Sequence, residues 1–262
     1  MASPDPESEP LAEATLIAHL LELRTRLLRS LVAVAIVSIP CMLYSNQLFT
    51  LIARPLLKVM PTGATMISTS VMAPLFAPFK LAFYVALILA MPYVLFQAWA
   101  FIAPGLYRHE KRFAMPLLVS SIVLFYGGIA FAFFLVFPVM FTFFTATTPV
   151  GVQMIPDMTQ YLDTVLVLFL AFGLSFEIPV AIVLLVYTGL VRIETLRKNR
   201  GYVLIGVFIQ AAVIVPPDII SQTAMALPMY ALYEIGIVMA SILAKGRLEA
   251  RARDEREREG GT

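Results

Sequence analysis

Charge is what this chain lacks most. Asp, Glu, Lys and Arg make up 14% of its 262 residues, where an ordinary soluble domain carries about a quarter. Hydrophobic residues make up 60% and come in long blocks, which excludes a soluble domain of this size and indicates a polytopic membrane protein. Cysteine is limited to Cys41, inside an apolar run, so there is no intramolecular disulfide and the thiol reads as a small packed hydrophobe. His19 and His109 are far apart in sequence and have no Cys or His companions, which argues against a metal site. No G-x-x-x-x-G-K-[ST] loop is present for nucleotide phosphates, and no H-E-x-x-H or G-x-S-x-G stretch for intramembrane hydrolysis. The chain therefore does not read as an enzyme and implies no cofactor. Nor is there a basic surface interleaved with aromatics for nucleic acid.

What is present is a series of apolar segments divided by polar turns. Residues 1–14 carry three prolines and four acids and read as a disordered tail. They lack a basic n-region, so no signal peptide is expected. In Thr15–Arg29 (TLIAHLLELRTRLLR), Leu16, Leu20, Leu23 and Leu27 follow helical spacing, which predicts an amphipathic helix at the membrane surface. Six spans follow, at 27–44, 79–103, 115–145, 162–190, 202–215 and 223–243. Between the first two, Leu48–Met60 suits a short interfacial helix with Pro55 restricting its backbone. The third span is longer than the roughly 30 Å hydrocarbon core requires, and Gly127-Gly128 and Pro138 are its candidate kink points. Trp99, near the end of the second span, suits an interfacial aromatic belt. The last two spans are short. The fifth would cover only about 21 Å as a helix, so the Pro216-Pro217-Asp218 turn after it should sit in a thinned, hydrated region. Residues 245–262 form a charged tail. No internal repeat is visible, which gives an inverted-repeat transporter no support.

Charge sets the orientation. If the even-numbered connections face the termini, that side holds 16 Lys and Arg, and the other side holds only Arg54, Lys58 and Lys80. The positive-inside rule then makes both termini cytoplasmic.

Four acids stand out. Glu22 is four residues before Arg26, so an ion pair within the helix is its ordinary role. Glu110 lies among Arg108, Lys111 and Arg112 in the turn FIAPGLYRHEKR. It is either neutralised by these neighbours or open to a basic partner from the cytoplasm. Glu177 lies near the middle of an apolar span, where an ionised carboxylate costs roughly 2.5–3.5 kcal/mol on insertion scales. It should face a partner or a hydrated concavity, or else stay protonated. Glu234 lies nearer the cytoplasmic side and suits snorkelling.

Four stretches, HLLELRTRL (19–27), AFIAPGLYRHEKR (100–112), SFEIPVAIVLL (175–185) and VPPDIISQ (215–222), occur in the order and at the helix ends found in the TatC family, which this chain resembles from about Thr15 to Leu243. The resemblance implies the core receptor of the twin-arginine protein translocase in the bacterial cytoplasmic membrane. Its implied fold is all-α, a concave, glove-like bundle of six transmembrane helices. Implied partners are the twin-arginine signal peptides of folded cargo, TatB-type and TatA-type single-span proteins, and further copies of the chain. Transport is driven by the proton motive force. The family's signal-binding patch falls on Glu22, Phe101 and Glu110. Arg24, Pro55, Glu177 and Asp218 match positions sensitive to change, and Gln222 matches a contact to a partner helix. The chain departs from the family in having Val215 where a polar residue often precedes the double proline, which removes a hydroxyl from that contact.

The residue types fit this reading. Two guanidinium forks call for two carboxylates, and Arg makes a bidentate contact that Lys cannot. Two other classes remain open on the sequence: a proton-coupled transporter with Glu177 as proton carrier, and a scaffold that assembles partner helices without reading signals.

Overall fold

The computed structural model describes residues 8–59, 66–102, 114–149, 155–214 and 219–259. These residues are helical throughout apart from the connections, with no strand and one isolated parallel bridge between Ile67 and Asp157. The helices are α1 (Ser8–Leu43), α2 (Ser45–Val59), α3 (Ala73–Ile102), α4 (Ala114–Phe131), α5 (Phe137–Thr147), α6 (Met158–Ser175), α7 (Ile178–Tyr187), α8 (Ile193–Lys198), α9 (Arg200–Ile214) and α10 (Ile219–Glu259), with a π-helical turn at Ala132–Val136. Five stretches are long and apolar enough to cross a membrane: Ile17–Leu43, Ala73–Ile102, Met115–Thr147, Met158–Tyr187 and Ile219–Gly246. The chain is a multi-pass membrane protein. The 15 residues of α9 span about 22 Å, less than the roughly 30 Å core. By contrast, the apolar part of α10 runs 28 residues, so of the two final helices only α9 is short.

The amphipathic surface helix expected at 15–29 is not a separate element. α1 is a single helix of 36 residues beginning at Ser8, and its first half cannot lie flat while its second half spans. The reason is local: no Gly or Pro occurs between Leu11 and Ile39, so nothing interrupts propagation. Pro40 comes only in the last turn.

The chain divides into two compact units, Met1–Phe49 with Pro78–Ile122, and Thr50–Ala77 with Val123–Thr262. In the first unit Cys41 packs against Ala82 and Ala86, with Val37, Leu48 and Val85 around them. Small side chains there let α1 and α3 approach closely. The opposite face of α1 is apolar and exposed through Leu27, Leu28, Leu31, Val32, Ile36 and Ile39, as lipid contact requires. Trp99 does not face outward. It is buried, and its Nε1 donates to Ser121 Oγ at 3.2 Å, because an indole N–H in an apolar setting needs an acceptor.

In the second unit an aromatic stack joins α4, the π turn and α5 to α6. Phe131 lies 5.5 Å from Phe172, Phe137 5.3 Å from Phe169 and Phe141 5.6 Å from Tyr161, ring centre to ring centre. The Tyr161 hydroxyl donates to the Ile52 carbonyl at 2.7 Å. The irregularity in the third apolar segment comes directly before Pro138, where the Phe137 N–H reaches back to the Ala132 carbonyl. Gly127-Gly128 is not a kink, since both lie within α4. Gly128 instead permits close approach: a Cβ there would sit 2.5 Å from the Phe172 carbonyl oxygen. Gly236 on α10 does the same for α7, its Cβ position lying 2.9 Å from Pro179 Cα.

Candidate functional site

The residues singled out by the sequence fall into three groups. Glu22, Arg24 and Phe101 belong to the first unit. Pro55 lies on α2, and Glu177 and Gln222 also belong to the second unit. Glu110 and Asp218, with Val215, lie outside the described residues.

Glu22 is on α1, half exposed, and carries the ion pair its spacing predicts. Arg26 donates to its Oε1 from both Nη2 (2.5 Å) and Nε (3.0 Å). A third donor, Arg26 Nη1, reaches Gln97 Oε1 on α3 at 3.4 Å. Gln97 is only 4% exposed. It is the one amide in the apolar stretch Leu81–Ala100, a signal in the sequence that charge-based reasoning passed over. One turn before Glu22, His19 stacks on Phe101 with ring centres 4.3 Å apart and planes 20° apart. Residues three apart on a helix share a face, so this stack brings Phe101 and Glu22 to neighbouring places on one surface. Arg24 is exposed. An open hollow on α1 is lined by Leu21, Glu22, Thr25, Arg26 and Arg29. One acid among these bases makes a surface on which a carboxylate already has a cation in attendance.

Glu177 lies inside the apolar stretch Met158–Tyr187, as its place in an apolar run predicts. It occupies the break between α6 and α7. The cause is Pro179, which has no N–H to give the Ser175 carbonyl and whose ring crowds it. The Glu177 N–H bonds Leu174 in a tightened turn at 3.1 Å, and α7 restarts with Ala181 bonding the Glu177 carbonyl at 2.9 Å. The side chain is half-buried.

On α10, Gln222 is half-buried and its Nε2 donates to the Phe208 carbonyl of α9 at 3.0 Å. The exposed residues Leu204, Ile205 and Ile209 lie beside it with Phe208. Glu234 does not reach for solvent alone. It accepts from Arg200 Nη2 (2.6 Å) and the Tyr230 hydroxyl (3.0 Å), fastening α10 to the start of α9. Tyr233 adds a bond to the Leu196 carbonyl of α8 at 2.8 Å. Several serines and threonines in the helices bond their own backbone, as Ser38 does to Val34. No cluster of His, Cys, Asp and Glu that could hold a metal occurs among the described residues.

Known proteins resemble this chain over most of its length. The family model for the Sec-independent protein translocase protein (TatC) matches residues 18–228. The Sec-independent protein translocase protein TatC of Azotobacter chroococcum mcd 1 is 54% identical over 222 residues, covering 85% of this chain and 87% of the relative. That of Escherichia coli (strain K12) is 51% identical over 233 residues, covering 88% and 90%. A crystal structure of the twin arginine translocase receptor TatC superposes with a TM-score of 0.78 at 37% identity, covering 86% of this chain and 98% of the other.

Proposed function

The chain belongs to the TatC family, and from that premise we propose that it is the signal receptor of its twin-arginine translocase, reading paired arginines through Glu22, Phe101 and Glu110. As a translocase component it is not an enzyme; its work is protein transport. In the proposed arrangement it sits in the bacterial cytoplasmic membrane with six spans, α9 being the sixth crossing element beside the five longer ones, and with both termini in the cytoplasm. Folded cargo arrives there with its signal peptide. TatB-type and TatA-type single-span proteins assemble with it, Gln222 and the neighbouring exposed face of α9 receive a partner helix, and further copies complete a multimeric receptor. The proton motive force drives export. Arg24, Pro55, Glu177 and Asp218 support these steps.

The observation that carries the reading is the His19–Phe101 stack, which puts an aromatic ring one helical turn from the Glu22 carboxylate. A guanidinium is served by both groups, a carboxylate for its fork and a ring for its face. Photocrosslinking residues placed at Phe101 and Glu110 test this directly. Both should label a twin-arginine signal peptide in membranes containing the assembled receptor, and excess unlabelled signal should abolish labelling. Labelling equal to that from Val123, an exposed apolar position, would reject the patch.

A further inference from the structure

We propose that Arg26 is the resident occupant of the Glu22 carboxylate in the empty receptor, and that an incoming signal guanidinium displaces it onto Gln97. This rests on the reading that Glu22 receives one arginine of the signal. The geometry has three parts. Both close donors of Arg26 converge on the same oxygen, Oε1 of Glu22, at 2.5 and 3.0 Å. The remaining contact of Arg26 is to Gln97 Oε1 at 3.4 Å. The Arg26 side chain is 21% exposed, less than the 37% of Glu22.

A guanidinium that is mostly withdrawn from water keeps its acceptors or bears a desolvation penalty. Gln97 supplies an acceptor that does not depend on Glu22. Its amide is buried in an apolar helix at 4% exposure, where a polar group is retained only with a partner. It is neutral, so it does not compete with the signal for Glu22. When a signal arginine takes the carboxylate, Arg26 tightens its contact to Gln97 and is not stranded. Guanidinium replaces guanidinium on the carboxylate, and the resting pair holds Glu22 oriented until then.

This assigns separate tasks to the residues of the patch. Displacing Arg26 is a penalty common to every signal, so it sets the affinity threshold. It does not set the ratio between twin-arginine and twin-lysine signals, which comes from the fork geometry of the ligand. Arg29 lines the same hollow and serves as a control for simple charge repulsion.

The experiment titrates a fluorescent twin-arginine signal peptide onto the purified assembled receptor at fixed ionic strength. Arg26→Gln should tighten binding about 2- to 10-fold, the range for releasing a half-exposed to partly desolvated ion pair. Arg29→Gln should tighten it less. Arg26→Lys keeps the charge but loses the fork, and should also tighten binding. Gln97→Leu should weaken binding in the parent and have no effect in the Arg26→Gln background. A twin-lysine signal should shift by the same factor as the twin-arginine signal in Arg26→Gln. Arg26→Gln matching Arg29→Gln, or weakening the signal, would overturn the proposal, since Arg26 would then share Glu22 with the signal or support it. If Glu22→Gln binds as well as the parent, the underlying receptor reading fails instead.

Discussion

The hydroxyl of Thr69 donates to Asp157 Oδ2 at 2.7 Å, and the Thr69 N–H donates to the same oxygen at 3.0 Å. The other oxygen, Oδ1, accepts from the N–H groups of Thr159 and Gln160 at 2.8 and 3.1 Å, capping α6. Backbone bonds from Ile67 to Pro156 and from Met158 to Ile67 close the clasp. One carboxylate thereby ties the segment before α3 to the start of α6. The Thr69 hydroxyl and the backbone donors hold its acidity near pKa 2, below the ordinary 3.8.

The first prediction concerns acid. A depressed folded-state pKa contributes stability above the ordinary value, and that contribution is lost as pH falls through the folded value. Asp157→Asn retains a capping side chain but loses the charge. The parent should melt above the variant at pH 7, and the gap should shrink between about pH 4 and pH 2. Thermal unfolding in detergent at several pH values checks this. A gap that does not change with pH would show that the charge contributes nothing.

The second prediction concerns close packing. A methyl at Gly128 meets backbone of Phe172, and one at Gly236 meets backbone of Pro179, so neither neighbour can swing aside. Gly128→Ala and Gly236→Ala should each destabilise by about 1–3 kcal/mol, the usual cost of overpacking. Gly206 on α9 has open space around its Cβ position. Gly206→Ala should be neutral or stabilising by up to about 1 kcal/mol, from helix propensity alone. Comparing denaturation midpoints of the three variants measures the contrast.

Much of this architecture was legible in the sequence, and the exceptions share causes. Apolar blocks locate the membrane segments because a spanning helix has to satisfy its backbone internally and show lipid-compatible side chains. The spacing of Glu22 and Arg26 gave their ion pair. The straight run of α1 was missed because amphipathic spacing in 15–29 says which face is polar and does not say whether the helix stops. Glu177 lies in its expected span, and Pro179 two residues on marks the helix break beside it. The bonds of Trp99 and Gln97 are not legible locally because their partners, Ser121 and Arg26, are 22 and 71 residues away. The Asp157 clasp spans 88 residues, and no local pattern announces it. Glu110 and Asp218 stand as the sequence and the family resemblance present them.

The third prediction concerns topology. The 16-to-3 asymmetry of Lys and Arg is the motive for placing both termini in the cytoplasm. Reporter fusions after Ala73, Gly151 and Ile219 should all report the external compartment, and fusions after Arg112 and Arg197 should report the cytoplasm. The Ile219 fusion is the most informative, because it tests whether the short helix α9 carries the chain across. A cytoplasmic signal there would make α9 a re-entrant element and the crossing count five.

The last prediction weighs stability against binding at the carboxylates. Glu22 is half exposed and its pair with Arg26 lies within one helix, so Glu22→Gln should cost little stability, about 0–1 kcal/mol. Its cost in signal binding should be larger. A charge-assisted contact to a guanidinium at a partly desolvated surface contributes roughly 1.5–3 kcal/mol, or about 10- to 150-fold in affinity. Glu110→Gln should weaken the twin-arginine signal comparably and narrow the gap between twin-arginine and twin-lysine signals, because an amide oxygen no longer rewards the bidentate fork. Phe101→Ala removes the ring that His19 stacks on. It should weaken both signals by a similar factor, since a ring face attracts an ammonium as well as a guanidinium. Measuring both signals against the parent and these three variants, together with the melting temperature of each, separates binding from folding. Glu22→Gln and Glu110→Gln binding the twin-arginine signal as tightly as the parent would remove both carboxylates from the receptor.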